Sequence, residues 1–159
     1  GYMAIINARV DDRLIHGQVA TSWIRGLHIE VVVVVDDRIA KDDMQKSVLK
    51  MSAPADTRVY ALSIEGFLER YNKGILDRYR VMLVFENVSA PYALVQKGFQ
   101  MEVLNLGGMR FKEGRRQISK ALSLSKEEES IVRKMAEMGV KIEHRQLTGD
   151  ESVDVLSLL

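Results

Sequence analysis

Five consecutive valines, Val31 to Val35, restrict what this chain can become. Valine branches at Cβ and suits a pleated strand better than a helix. A strand with one wet face alternates apolar and polar residues, whereas an unbroken apolar run needs cover on both faces. Residues 30–35 therefore predict a strand inside a parallel sheet with helices above and below. Residues 80–85 carry the same near-continuous apolar character. Further strands are predicted at residues 4–8, broken by Asn7, and at 58–62, 102–106, 118–124 and 140–147.

Helical patterns lie between these runs. Val19, Trp23, Ile24 and Leu27 form the first amphipathic set. Residues 41–51 form the next, with Met44, Val48 and Met51 on one face read as core, Asp42 and Lys46 paired at i,i+4, and Ala53-Pro54 as the stop. Ser63 caps a helix through Ile64, Phe67, Leu68 and Tyr71 that Gly74 closes. Ser89 and Pro91 open another through Leu94 and Val95, closed by Gly98. Ser125-Lys126-Glu127-Glu128 fits a capping box, with Ile131, Val132, Met135 and Met138 inward, a Glu129–Arg133 pair outward, and Gly139 at the end. Residues 153–159 are apolar and unassigned. Strands alternating with helices imply an α/β three-layer sandwich: a mostly parallel sheet of about seven strands with helices on both faces, with room for an antiparallel strand near one edge.

The chain has 159 residues, enough for one domain with a sizeable core. Its 23 Lys and Arg against 22 Asp and Glu leave a formal charge of +1, so no global field recruits nucleic acid. With no cysteine, disulfides and thiolate metal sites are excluded. The three histidines, His16, His28 and His144, are far apart and show no metal-binding spacing; no metal or cofactor is expected. His28 reads as a helix-exit or surface residue, and His144 as an outward residue of a strand. No apolar run approaches the ~20 residues needed to span a bilayer, and no signal peptide is visible. Gly1-Tyr2 ahead of Met3 reads as a cloning remnant. Neither a phosphate-binding Gly-Lys-Ser/Thr loop nor a Gly-x-Ser-x-Gly elbow is present.

The chemistry-bearing stretch is Ala8-Arg9-Val10-Asp11-Asp12-Arg13-Leu14-Ile15-His16-Gly17-Gln18-Val19. It runs from a strand through a polar turn into a helix, with His16 at the helix start. Helix starts expose unpaired N–H groups and favour anions. Backbone groups at Ile15, Gly17 and Gln18 would cradle phosphoryl oxygens, Arg9 and Arg13 would add charge-assisted bonds, and Asp11 or Asp12 would orient the arginines or fix the imidazole tautomer. Asp36 and Asp37 end the valine strand on the same sheet edge if the two strands are parallel; capping of the following segment is the alternative. Gly107-Gly108 after the strand at 102–106 would form a second wall, or an ordinary turn, followed by basic Lys112, Arg115 and Arg116.

That stretch resembles the active-site loop of IIB components of the mannose/fructose/sorbose family of the bacterial sugar phosphotransferase system. The resemblance continues in Val35-Asp36-Asp37 with Ala40-Lys41-Asp42-Asp43, in Lys50-Met51-Ser52-Ala53-Pro54, and in Asn105-Leu106-Gly107-Gly108-Met109 with Phe111-Lys112-Glu113-Gly114. It covers residues 3–159 as a single domain. The resemblance implies a cytoplasmic phosphotransferase, peripherally associated with its permease. His16 would take a phosphoryl group from a phosphorylated IIA partner and pass it to a sugar held by membrane IIC and IID components. It also implies roles for Arg9 and Arg13, and for Asp11, Asp36 and Asn105 around the phosphate. In the family the δ nitrogen of the ring is phosphorylated; the sequence itself does not choose between the nitrogens.

Two other readings compete. A signalling receiver module would take the phosphoryl group on Asp36 or Asp37, giving an acyl phosphate labile in base rather than an acid-labile phosphohistidine. A non-enzymatic sugar-binding protein would want more aromatic surface than one Trp and few other rings provide.

Overall fold

A computed structural model describes residues 5–159. Gly1-Tyr2, Met3 and the expected strand start at Ala4 lie outside the described residues. The strands are β1 Ile5–Asp11, β2 Val31–Val35, β3 Arg58–Leu62, β4 Val81–Phe85, β5 Val103–Gly108, β6 Arg115–Ser119, β7 Leu122–Ser125, β8 Lys141–His144 and β9 Val153–Asp154. The α-helices are α1 Asp43–Ser52, α2 Ile64–Asn72, α3 Ser89–Gln96 and α4 Lys126–Glu137. Val19–Arg25 forms a π-helical segment, and Ile39–Lys41 a 3-10 turn.

Seven strands make one sheet in the order β3-β2-β4-β1-β5-β8-β9. Every pairing is parallel except that of β9 on β8. The valine strand behaves as its composition requires. All five residues are buried: Val32 and Val34 pack with Trp23, Ile24 and Leu49 on one face, Val31, Val33 and Val35 with Phe67 and Phe85 on the other. The expected three-layer α/β architecture is the observed one.

Strand order positions the site. β1 lies between β4 and β5. The chain leaving β1 crosses toward β2, while the chain leaving β5 goes the other way, toward β8. The two connections part above the carboxyl ends of β1 and β5, opening the crevice in which open α/β sheets bind ligands.

Four expectations need correction. Residues 118–124 are not one strand of the main sheet. They straddle a turn at Lys120 and Ala121, so β6 and β7 form a separate antiparallel hairpin, and the seventh strand of the sheet is the antiparallel edge β9. The strand expected at 140–147 ends at His144. Met44, Val48 and Met51 are 79%, 55% and 83% exposed. Helix α1 lies over the edge strand β3, where Leu49 is its buried residue, and the Lys46 and Lys50 stems line the groove against Val59 and Tyr60. Met138 is likewise half exposed.

Charge pairing also differs in detail. Asp42 caps α1 by accepting from Gln45 N–H, so Lys46 approaches Asp43 instead. Glu129 accepts from Arg116 of the hairpin strand β6 rather than pairing within its helix.

Candidate functional site

Asp11, the last residue of β1, is 1% exposed and organises the crevice. Its Oδ1 accepts the Arg13 backbone N–H at 3.0 Å, closing the turn. Its Oδ2 accepts Arg9 Nη2–H at 3.1 Å and lies 2.9 Å from His16 Nε2. A carboxylate only accepts, so Nε2 carries the ring hydrogen and the lone pair of the neutral imidazole sits on Nδ1. The His16 side chain is 15% exposed and held by Asp11 through Nε2.

The turn between them is shaped by an unusual backbone. Leu14 has φ = 60°, a left-handed conformation rare outside glycine. Leu14 N–H donates to Asp11 O at 2.9 Å, and the side chains of Leu14 and Ile15 are buried in the core beneath the loop. With those two anchored, His16 is delivered to the top. Helical geometry begins at Gly17, Ala20 N–H donates to His16 O at 2.8 Å, and the N–H groups of Gly17, Gln18 and Val19 precede the first helical bond.

Arg9 is 1% exposed and does not reach solvent. Besides Asp11 it donates through Nη1 to Arg145 O at 3.0 Å, and its guanidinium lies 4.9 Å from the centre of the Trp23 ring. Burial pulls the Arg9 pKa below its ordinary value, against the raising effect of Asp11; a guanidinium still stays protonated at neutral pH. Arg13 is exposed, and its guanidinium makes no ion pair among the described residues. A hollow of about 340 Å³ lies between the loops after β1 and β5, lined by Asp11, Arg13, Gln18, Gly107, Gly108, Arg110, Phe111, Lys120 and Gln146 among others.

A family model described as PTS system sorbose subfamily IIB component matches residues 5–159. The chain belongs to this family. A fructose-specific EIIB component from Bacillus subtilis (strain 168) is 36% identical over 99% of this chain and 96% of its own length. The mannose-specific EIIAB component of Escherichia coli (strain K12) is 33% identical over 99% of this chain, which spans 49% of that longer protein. The crystal structure of the IIBSor domain of the sorbose permease from Klebsiella pneumoniae superimposes with a TM-score of 0.91 at 32% identity, covering 98% of this chain and 96% of that one. This IIB component is therefore a phosphotransferase of a sugar phosphotransferase system.

Among the residues expected at this IIB site, the structure joins His16, Asp11, Arg9, Arg13, Gln18, Gly107 and Gly108. It keeps others apart. Asp36 Oδ1 accepts the N–H groups of Arg38 and Ile39, both at 2.9 Å, and Asp37 Oδ1 accepts Ile64 N–H at the start of α2. Both are caps, and β4 separates their strand from β1. With these carboxylates occupied, the receiver-module reading has no support.

Asn105 is fully buried, and its amide brackets one backbone unit. Nδ2–H donates to Arg145 O and Oδ1 accepts Arg145 N–H, each at 3.0 Å. It is thereby held away from the hollow and fixes the carbonyl that receives Arg9. Ile15 brings only its backbone to the site, since its side chain is core.

The two glycines line the hollow and also make room behind it. A Cβ on Gly107 would stand 1.9 Å from Arg9 Cζ, and one on Gly108 3.1 Å from Asp11 Oδ2. Their bareness makes room for the buried ion pair.

The contribution of residues 145–148 was not foreseen. Gln146 O accepts Trp23 Nε1–H at 2.7 Å, and Thr148 N–H donates to Ser22 Oγ at 3.0 Å, clasping the π-helical segment. The one signal was that these residues follow a strand on the same sheet edge. His144 does not alternate outward; it is half-buried, with Nδ1 2.6 Å from Leu106 O. His28 is exposed at the helix exit with φ = 55°.

Proposed function

We propose that His16 is the phosphoryl carrier of this IIB component and that Nδ1 is the atom modified. The observation carrying this reading is the 2.9 Å contact between His16 Nε2 and Asp11 Oδ2. It leaves the Nδ1 lone pair available and puts a carboxylate behind the ring. Nδ1 attacks the phosphorus of a phosphohistidine on a IIA partner. The new P–N bond forms as the donor's P–N bond breaks, and the donor ring keeps the electron pair. His16 becomes an N-phosphorylated imidazolium whose positive charge faces Asp11, and Nε2 keeps its hydrogen throughout.

Such a transfer needs in-line positioning and neutralised equatorial oxygens rather than covalent help. Arg13 supplies the mobile cation, and the backbone N–H groups of Gly17 and Gln18 supply oriented donors. Arg9 never touches phosphate in this scheme; buried beside Asp11, it positions the carboxylate. When a sugar hydroxyl attacks the phosphorus, the P–N bond breaks, the hydroxyl proton passes to water, and the ring returns to the neutral Nε2–H imidazole. The sugar would be presented by membrane IIC and IID components, and the EIIAB name of the mannose relative supports a IIA donor. A cytoplasmic location at the permease fits those partners; among the described residues no helix is long and apolar enough to cross a membrane.

The test is incubation with a phosphorylated IIA protein followed by peptide mapping. Label on His16, acid-labile and base-stable, is expected, with none on folded His16→Ala. A labelled His16→Ala, or label on an aspartate, overturns the reading.

A further inference from the structure

One carboxylate oxygen serves two partners in the crevice. Asp11 Oδ1 is taken by the Arg13 backbone N–H at 3.0 Å. That leaves Oδ2 to accept from both Arg9 Nη2, at 3.1 Å, and His16 Nε2, at 2.9 Å. A guanidinium and the reactive imidazole therefore meet on a single atom.

The guanidinium is fixed in that position. Arg145 O accepts Arg9 Nη1–H at 3.0 Å, Arg9 Cζ lies 4.9 Å from the centre of the Trp23 ring, and Gly107 leaves the space in which the guanidinium sits. The Arg145 peptide unit is gripped at its N–H and its carbonyl by the fully buried Asn105 amide. Arg9 Nε is buried without a partner, and the residue as a whole is 1% exposed. The chain thus holds a desolvated and incompletely satisfied cation directly behind the carboxylate that His16 uses. Stability does not account for this, since apolar side chains of similar volume often serve as well as a buried ion pair.

What the cation changes is charge. The imidazole is neutral at rest and becomes positive when Nδ1 carries a phosphoryl group. A buried carboxylate facing the ring alone would stabilise that cation and resist release of the group. Arg9 sets an opposing charge on the same oxygen. At an effective dielectric constant of about 20, charges this close shift an equilibrium by tenfold or more.

We propose that Arg9 sets the phosphoryl-transfer potential of this chain: its fixed charge offsets the pull of Asp11 on the phosphorylated ring, so that the group stays transferable. This rests on the proposed role of His16 and makes Arg9 a positioning residue that acts through Asp11. On release the P–N bond breaks, the electron pair returns to Nδ1, and the ring charge that Arg9 opposes disappears. Were Arg9 only a strut beneath the turn, its charge would not matter to the equilibrium.

The test is the equilibrium partition of the phosphoryl group between a phosphorylated IIA protein and this chain at neutral pH, read by ³¹P NMR on folded protein. Arg9→Gln should move the partition about tenfold toward phospho-His16, and Asp11→Asn about tenfold the other way. Arg9→Gln/Asp11→Asn removes both charges and should lie within about threefold of the unaltered chain. Arg9→Lys keeps the charge and should restore the partition to within about twofold. Removing one partner of a buried pair is destabilising, whereas replacing both is close to neutral. If Arg9→Gln alone does not fold, Asp11→Asn against the double variant isolates the same charge, and the double variant should favour phospho-His16 by about tenfold. A folded Arg9→Gln protein within about twofold of the unaltered chain, or a double variant that matches Asp11→Asn, overturns the inference. So does an Arg9→Lys protein that behaves like Arg9→Gln. Each of these results leaves label on His16; a chain that takes no label there loses the carrier role itself, and the role of Arg9 with it.

Discussion

Gly107→Ala is expected to damage this protein through the buried ion pair behind the hollow. The added methyl would stand 1.9 Å from Arg9 Cζ and 2.1 and 2.4 Å from its two terminal nitrogens. The Arg9 stem is flexible, so the guanidinium can move, but moving it breaks the bonds to Asp11 Oδ2 and Arg145 O and separates it from Trp23. Breaking a buried ion pair costs about 3–5 kcal/mol. The alanine returns roughly 0.4–1 kcal/mol by narrowing the unfolded ensemble. The net loss is about 2–4.5 kcal/mol, which at roughly 2–4 °C per kcal/mol lowers Tm by about 4–18 °C in a chain of this size. Thermal unfolding followed by circular dichroism, with Trp23 fluorescence as a local probe, measures it. Gly17→Ala is the control, since a Cβ there meets nothing within 4 Å. A Gly107→Ala protein melting within about 2 °C of the native chain, against that expected span, would mean that Arg9 is not held as described.

Arg13→Ala should slow phosphoryl uptake by about 10- to 100-fold, roughly 1.4–2.7 kcal/mol of barrier, with Tm nearly unchanged; stopped-flow transfer from a IIA donor is the assay. Asp11→Asn should let the His16 tautomer equilibrate, visible as a changed ¹⁵N pattern of the ring, while an unchanged Nε2–H signal would detach Asp11 from that role. Burial raises the Glu128 pKa, but bonds from Arg115 and Ser125 outweigh it and leave the carboxyl below its ordinary value of 4.5. A lowered folded pKa contributes stability present above the unfolded value and lost as pH falls toward the folded one. Denaturant titrations should therefore show native minus Glu128→Gln stability as a plateau above about pH 4.5 that shrinks below it. Leu49→Ala should cost about 2–5 kcal/mol and Met51→Gln less than about 0.5 kcal/mol, a contrast chemical unfolding resolves.

Much of the fold could be read from the chain because its strongest signals are one-dimensional. Val31 to Val35 demanded two covered faces and has them. Ser63 and the Ser125–Glu128 capping box start their helices where expected. The assignments that failed depend on neighbours the sequence does not name. Met44, Val48 and Met51 have helical spacing, but which stripe faces inward is decided by the edge strand and two lysine stems. Residues 118–124 look like one strand until the pairing of Arg116 with Leu124 folds them on themselves. The same limit holds at the site. The residue types around His16 announced anion chemistry. That Arg9 lies buried, that Asn105 grips a backbone unit and that Gly107 makes space for a guanidinium all follow from strand register, with Arg9 opposite Asn105.

The carbonyl that holds Arg9 belongs to Arg145, 136 positions further along the chain. A ribosome must add those 136 further residues before the guanidinium of β1 finds its seat. Truncated products ending before β8 would carry the histidine loop in full yet lack its clasp, so shortened chains should be poor carriers however intact their amino-terminal half. The turn that holds His16 is thus translated long before the backbone unit that steadies the arginine beneath it.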